Sequence, residues 1–458
     1  MLKDLISSSF RDPSGFVYKQ DDKIYRQINQ FYKKEYDHLM SCGLYEELTS
    51  KGFLVPHQEL ELNTNDEKAY KIIEPEKIPF ISYASEWSFS QLKSAALATI
   101  NAQLLALKYN MSLKDANTYN VQFKNGKPIL IDTLSFDFYE EGKPWVAYRQ
   151  FCQHFLAPLA LMAKIDVSLN QLLRTNIDGV PLMVASKMLP LSTKLSPGLL
   201  LHIHMHAKSQ KKHEGEEVIS KTEGKMPKNS LISLLNNLKS TVKSLKWEPT
   251  GTQWGDYYTF TNYSDSAFDF KKNLISKFID KVQPRILWDL GGNIGTFSRI
   301  AVEKGINTYC FDIDPAAVEK NYQYIRKNKE QNHTPLLMDL TNPTSARGWA
   351  NEEWMSFKQR GPADICMALA IIHHLSLGNN LPFIKVANHF ADLCNHLIIE
   401  FVPKTDSQVV KLMQNRDINP DYNIEHFEKC FGEYFEILEK SPVEGSERTL
   451  YLMKKRSS

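Results

Sequence analysis

The chain has 458 residues, 42% of them hydrophobic and 11% aromatic, with 55 Lys and Arg set against 53 Asp and Glu. That length exceeds one ordinary core, so two or three domains are expected, and the apolar content excludes a disordered chain. A formal net charge of +2 builds in no global attraction for nucleic acid or for an acidic partner.

The opening residues MLKDLISSSF contain an acid and no apolar run, which excludes a secretory signal there. The most apolar window, FLAPLALMA at 155–163, is half the length of a membrane span and contains Pro158. Six cysteines stand singly without a C-x-x-C pair, so they read as reduced thiols and not as a zinc site or a disulfide framework. A soluble, cytoplasmic protein without a metal centre is expected.

Residues 1–206 form the first expected domain, of α+β type. Within it the helical pattern SQLKSAALATINAQLLALKYN precedes SLKDANTYNVQFKNGKPILIDTLSFD. Asp115 and Asn120 are five apart, and an apolar strand ends in Asp132. This spacing resembles that of protein kinases and aminoglycoside-type phosphotransferases. The resemblance implies that Asp115 accepts a proton from the phosphoryl acceptor, while Asn120 and Asp132 hold magnesium for ATP. The sequence also departs from that pattern. Leu113-Lys114 precedes Asp115 where His-Arg is usual, Asp132-Thr133-Leu134 replaces Asp-Phe-Gly, and DPSG at 12–15 reads as a hairpin turn. Two readings stay open: a kinase-like fold, and a turn in which Asp115 and Asn120 satisfy backbone groups.

Residues 207–246 follow. From Lys208 to Lys246 there are nine lysines, four glutamates and no aromatic residue, a composition that predicts a solvated linker. Its tail, SLISLLNNLKSTVKSL, has apolar residues at helical spacing and predicts a short connecting helix.

In the third region, 247–458, short apolar runs alternate with amphipathic stretches. RILWDL, NTYCFDI, TPLLMDL, ADICMALA and HLIIEFV read as buried parallel strands, and PAAVEKNYQYIRKNKE and NLPFIKVANHFADLC as helices between them. The alternation predicts an α/β doubly wound, Rossmann-like sheet. FGEYFEILEKS and RTLYLMKK at the end read as two strands joined by a loop. In such sheets ligands lie beyond the carboxyl ends of the strands. The first strand there leads into Gly291, Gly292, Asn293 and Gly295, a turn that a ligand can approach closely. Asp289 ends that strand, Asp312 the next and Asp339 the third, while His373 and His374 follow the fourth.

DLGGNIG, FDIDP, MDLTNP and ADICMALAIIHHL resemble the successive motifs of class I S-adenosylmethionine-dependent methyltransferases, over residues 250–458. The resemblance implies an antiparallel last strand at TLYLMKK and S-adenosyl-L-methionine as cofactor. Gly291, Gly292, Asn293 and Gly295 would pack on its methionine part, Asp312 would hold the ribose, Asp339 with Leu340 would read the adenine, and Ile313 would line the cofactor site beside Asp312. Asp289 would orient the loop or meet the cofactor's amino group through water. Asn293 stands where the family usually has glycine, and asparagine tolerates positive φ better than most residues. His373 or His374 would serve as general base; the alternative is packing at a strand–helix junction. WGDYYTFTNYS offers Trp254, Tyr257, Tyr258 and Tyr263 as a lid over cofactor and substrate, or as packing residues. YNVQFKNGKPILIDTLSF and WVAYRQFCQHFLAPL add a resemblance, nearly chain-long, to a bacterial group of two-part methyltransferases, some associated with nodulation.

The expectation is therefore a methyltransferase acting on a small-molecule or glycan-type acceptor, without nucleic acid and without a membrane span. A phosphotransferase with a regulatory S-adenosylmethionine-binding half, an RNA or protein methyltransferase, and a non-catalytic binding protein are the alternatives. Oligomeric state is not legible.

Overall fold

The computed structural model describes residues 4–61, 66–213, 226–252, 265–413 and 420–457. The chain divides into two units: Met1–Glu248 with Gly348–Glu353, and Pro249–Arg347 with Trp354–Ser458.

The first unit is α+β. Strands β1 (Asp4–Leu5), β2 (Gly15–Gln20), β3 (Lys23–Asn29), β4 (His57–Leu60) and β5 (Ala69–Pro75) make an antiparallel sheet in the order β1-β2-β3-β5-β4. Asp21 and Asp22 join β2 to β3 with φ of 50° and 63°, the primed turn whose twist suits a two-residue hairpin. Gly15 is required for contact with β3, because a Cβ there would lie 2.1 Å from the Gln27 carbonyl oxygen. Helix Phe89–Lys108 starts at a reciprocal cap between Ser88 and Gln91 and is buried along much of its length. Two small pairings follow, β6 (Met111–Leu113) with β9 (Phe136–Phe138), and β7 (Val121–Lys124) with β8 (Lys127–Leu130).

Helix Lys228–Ser244 buries Leu231, Leu235, Leu238 and Val242 within this first unit. The tail of the lysine-rich segment is thus a packed helix, because its apolar spacing outweighs its polar composition.

The second unit carries a seven-stranded sheet in the order β12-β11-β10-β13-β14-β16-β15. Its strands are β10 (Ile286–Leu290), β11 (Asn307–Asp312), β12 (His333–Leu337), β13 (Ala363–Ala368), β14 (Cys394–Phe401), β15 (Phe435–Pro442) and β16 (Thr449–Lys455). The first five are parallel, and β16 runs antiparallel between β14 and β15. This is a Rossmann-like doubly wound sheet with an antiparallel last strand. On one face Leu287, Ile365, Met367, Ile398 and Leu452 pack against Ile275, Phe278 and Ile279 of helix Asp265–Val282. On the other, Trp288 stacks on Phe357 at 4.9 Å and meets Phe311 edge-on at 5.6 Å. Both faces are covered, which is why these strands read as continuous apolar runs.

Candidate functional site at the carboxyl edge of the second sheet

The chain leaves β10 toward β11 on one side and later returns to β13 on the other. That reversal opens a crevice at the strand ends. The glycine turn sits in it. Gly291 and Gly292 donate their N–H groups to the Phe311 carbonyl at 2.8 and 3.0 Å, tying the turn to β11. Gly291 has φ of 78°, Gly295 76° and Asn293 51°. Asn293 therefore occupies the left-handed region that its side chain tolerates. A Cβ on Gly292 would meet Cys310 Sγ at 2.5 Å and Asp289 Oδ2 at 2.6 Å.

Asp312 closes β11 and accepts N–H groups from Asn293 at 2.8 Å and Asp314 at 2.9 Å. Burial raises its carboxyl to about 6, against the pull of those donors. Ile313 beside it is 58% exposed, an unusual setting for an apolar side chain and a flat surface for a ring. Met338, after β12, donates its N–H to the Asp312 carbonyl at 2.8 Å, which brings Asp339 and Leu340 to the same edge. Asp339 there accepts the Thr341 N–H at 2.8 Å and hydroxyl at 2.6 Å.

Asp289 is 1% exposed and accepts the Ser298 hydroxyl at 2.6 Å. Burial raises its carboxyl to about 7; Ser298 and Lys271 oppose the rise and Asp312 adds to it. A buried acid raised this far stabilises the fold below its unfolded pKa, and that contribution is lost as pH rises through the folded value. Asp289→Asn is thus expected to raise the melting temperature of the ligand-free protein at pH 8, by roughly 1–3 kcal/mol of stability, with the gain shrinking toward pH 5. A thermal unfolding series across that range checks it.

After β13 the chain turns through Ala370 at φ of 50°. A Cβ on Gly291 would meet Ile371 Cδ1 at 2.8 Å, so this turn packs on the glycine loop. His373 and His374 follow, their rings 4.1 Å apart. His373 is 3% exposed, and its Nδ1 is buried without a hydrogen-bond partner. Burial, then the neighbouring His374 and Arg448, hold His373 well below the usual histidine range, and burial lowers His374. Both are neutral at neutral pH and able to accept a proton.

Asp364, the acid that opens the run ICMALA, keeps that place in the structure. At the amino end of β13 it accepts the N–H groups of Arg285 and Ile286 at 2.8 and 3.0 Å, fixing strand starts at the opposite edge. Trp254, Tyr257, Tyr258 and Tyr263 lie outside the described residues.

No family model matches the sequence. The nodulation protein NoeA of Rhizobium meliloti (strain 1021) is 32% identical over 456 residues, 97% of this chain and 95% of NoeA. The chain belongs to the NoeA family. Among solved structures it is similar to the magnesium protoporphyrin IX methyltransferase ChlM of Synechocystis PCC 6803, with 16% identity over 44% of this chain and 93% of that one, at a TM-score of 0.32. The N-methyltransferase NodS of Bradyrhizobium japonicum WM9 matches at 10% identity over 42% of this chain and 99% of NodS, TM-score 0.33. The bifunctional kinase-methyltransferase WbdD matches at 16% identity over 47% of this chain and 45% of its own length, TM-score 0.31.

In this NoeA-family chain the first unit also gathers the polar residues that the sequence singled out. Asn120 Nδ2 donates to Ser135 Oγ at 3.1 Å, and Ser135 Oγ donates to Asp132 Oδ2 at 2.6 Å. Asn117 donates to Asp115 at 2.7 Å. Burial and the nearby Asp132 raise Asp115, against hydrogen bonds from Gln150 and Asn120. Arg26 of β3 meets Asp132 at 2.5 Å. Burial raises the Asp132 carboxyl, but Arg26, Ser135, the Leu134 N–H and Lys114 together outweigh it and leave it below the usual range. Asp132 therefore already has a cation, where the resemblance assigns it magnesium.

Three charged residues that the second unit buries together escaped the sequence reading: Lys271, Glu400 and Arg448. Glu400 carried a signal, as the acid inside the apolar run HLIIEFV. Lys271 carried none, since a lysine in an amphipathic helix ordinarily faces water.

Proposed function

We propose that residues 247–458 act as an S-adenosylmethionine-dependent methyltransferase on a small-molecule or glycan-type acceptor, in the cytoplasm of a bacterium. One observation carries the reading: Asp289, Asp312, Asp339 and the His373 turn meet at one sheet edge around a glycine turn without room for side chains. The residues there fit the cofactor. Gly291, Gly292, Asn293 and Gly295 leave backbone open to its methionine part, Asp312 has a carboxylate for a ribose diol, and Ile313 and Leu340 lie beside Asp312 and Asp339 for an adenine ring. When bound, S-adenosylmethionine supplies a methyl group already activated on a sulfonium. The protein's share is then to hold the acceptor in line and take up its proton. His373 and His374 are the candidate proton acceptors: His373 is open at Nδ1, and His374, less depressed by its surroundings, is the stronger base of the two.

Six free cysteines support a reducing compartment, and among the described residues no helix is long and apolar enough to cross a membrane. The relative's designation supports a role connected with nodulation. Labelled methyl donor incubated with the protein and fractionated lysate tests the reading: a fraction gaining label identifies the acceptor class. Label in RNA or protein would overturn the proposed acceptor.

The convergence of Asp115, Asn120 and Asp132 favours a second reading, a kinase-like first unit. It requires that ATP with magnesium raise the melting temperature and that Asp132→Ala abolish the shift. A flat response removes it.

A further inference from the structure

One stretch of the first unit turns a series of apolar side chains outward. Val184, Met188, Leu191, Leu195, Leu201 and Met205 are all exposed. Leu195 at 85% and Leu191 at 77% are the most exposed large apolar side chains among the described residues. A single exposed leucine is ordinary, but six such residues from one segment mark an interaction surface.

The local sequence explains why they face out. Pro181, Pro190 and Pro197 start three short elements, Leu182–Met188, Leu191–Leu195 and Pro197–Leu199. With a proline at each start, no long helix can form and turn one apolar stripe inward. The third element runs on into a widened helical turn, Leu200–Met205, which buries His202, Ile203 and His204 in succession and leaves Leu201 and Met205 outside. The stretch is nonetheless fixed in place. His204 bonds Ser186 and Thr193, each at 2.9 Å, and so ties the elements to one another. His202 bonds Tyr148 at 2.6 Å and Asn237 at 2.9 Å. A braced scaffold holds the leucines out.

Charge narrows the partner. Residues 179–213 contain five lysines and no Asp or Glu, in a chain whose charges otherwise nearly balance. Lys187 and Lys194 are exposed on the same elements as Val184, Met188, Leu191 and Leu195, and Lys208 is exposed just beyond Met205. Trp, Tyr and Arg, the usual anchors of protein interfaces, are absent from 179–213. A second copy docked face to face would set like charges against one another. Leucine and methionine among lysines, without acids, match the boundary of an anionic bilayer. There the acyl chains take the apolar tips and the headgroups meet the ammonium groups.

We propose that residues 184–208 form a peripheral membrane-binding surface for anionic lipid. The inference is independent of the methyltransferase reading.

The full chain is sedimented with vesicles of phosphatidylcholine alone, and with vesicles in which about a third of the lipid is phosphatidylglycerol. Wild type is expected to bind the anionic vesicles, to bind the neutral ones weakly, and to be released by high salt. Leu191→Ser with Leu195→Ser weakens binding by about tenfold or more. Lys187→Gln with Lys194→Gln does so by a similar factor, about tenfold. All four side chains are exposed, so the melting temperature stays at the wild-type value. Phe31→Ser, at a residue 74% exposed just after β3, is the control and keeps full binding. Wild type that does not bind anionic vesicles overturns the proposal. So does binding that the leucine substitutions leave intact, since the attraction then belongs to lysines elsewhere in the chain. Self-association that those substitutions abolish, without vesicle binding, assigns the surface to a second copy and overturns it as well.

Discussion

Asp312→Ala is expected to weaken S-adenosylhomocysteine binding by about tenfold or more, roughly 1.5–3 kcal/mol, through loss of paired hydrogen bonds to the ribose. The structure gives a second reason for a large effect. The same carboxylate takes the Asn293 N–H at 2.8 Å, so it also holds the glycine turn in its ligand-ready shape. Alanine removes the ribose acceptor and this clamp together. The fold should survive, because the lost group is a buried acid raised to about 6 whose ionised form is unfavourable at neutral pH. Calorimetry beside thermal unfolding separates the two: weak binding with a preserved melting temperature is the expected pair. Undiminished binding would remove Asp312 from the cofactor site.

Gly295→Ala is expected to lower stability by roughly 2–4 kcal/mol, summing a left-handed backbone penalty and a steric one. Gly295 has φ of 76°, and a Cβ there would lie 2.6 Å from Asn321 Nδ2 and 2.9 Å from His333 Cε1. Those side chains cannot retreat cheaply. Arg299 donates to Asn321 at 2.9 Å and to Glu330 at 2.8 Å, and Glu330 meets His333 at 2.9 Å, a buried lattice beneath the turn. Gly305→Ala is the matched comparison. Its φ is 77°, but nothing lies within 4 Å of its would-be Cβ. It should show only the backbone part, about 1 kcal/mol. Equal losses of melting temperature in the two variants would mean that the lattice under Gly295 yields.

Much of the second unit was legible because its chemistry is local. Apolar runs such as ILWDL and YCFD declare strands buried on both faces, and the acid or glycine that ends each run marks the edge where backbone must stay open. Asp289, Asp312, Asp339 and His373 could therefore be read as neighbours before any sheet order was known. Asp364 precedes its apolar run where the other acids end theirs, so it reads as opening the fourth strand, and the parallel sheet places it at the opposite edge. The helix at 228–244 was half-legible, since its apolar spacing competed with nine lysines around it.

What the amino-acid order determined alone was the set of elements, the turn that needs glycine, and the residue types brought to each strand end. Tertiary structure alone decided how charge is shared among them. Whether Lys271 faces water or pairs with Glu400, and whether Asp132 is open or already joined to Arg26, depends on distances between segments more than a hundred residues apart in sequence. Burial then sets the energy of each charge, and burial is a property of the packed chain, not of any short stretch of it.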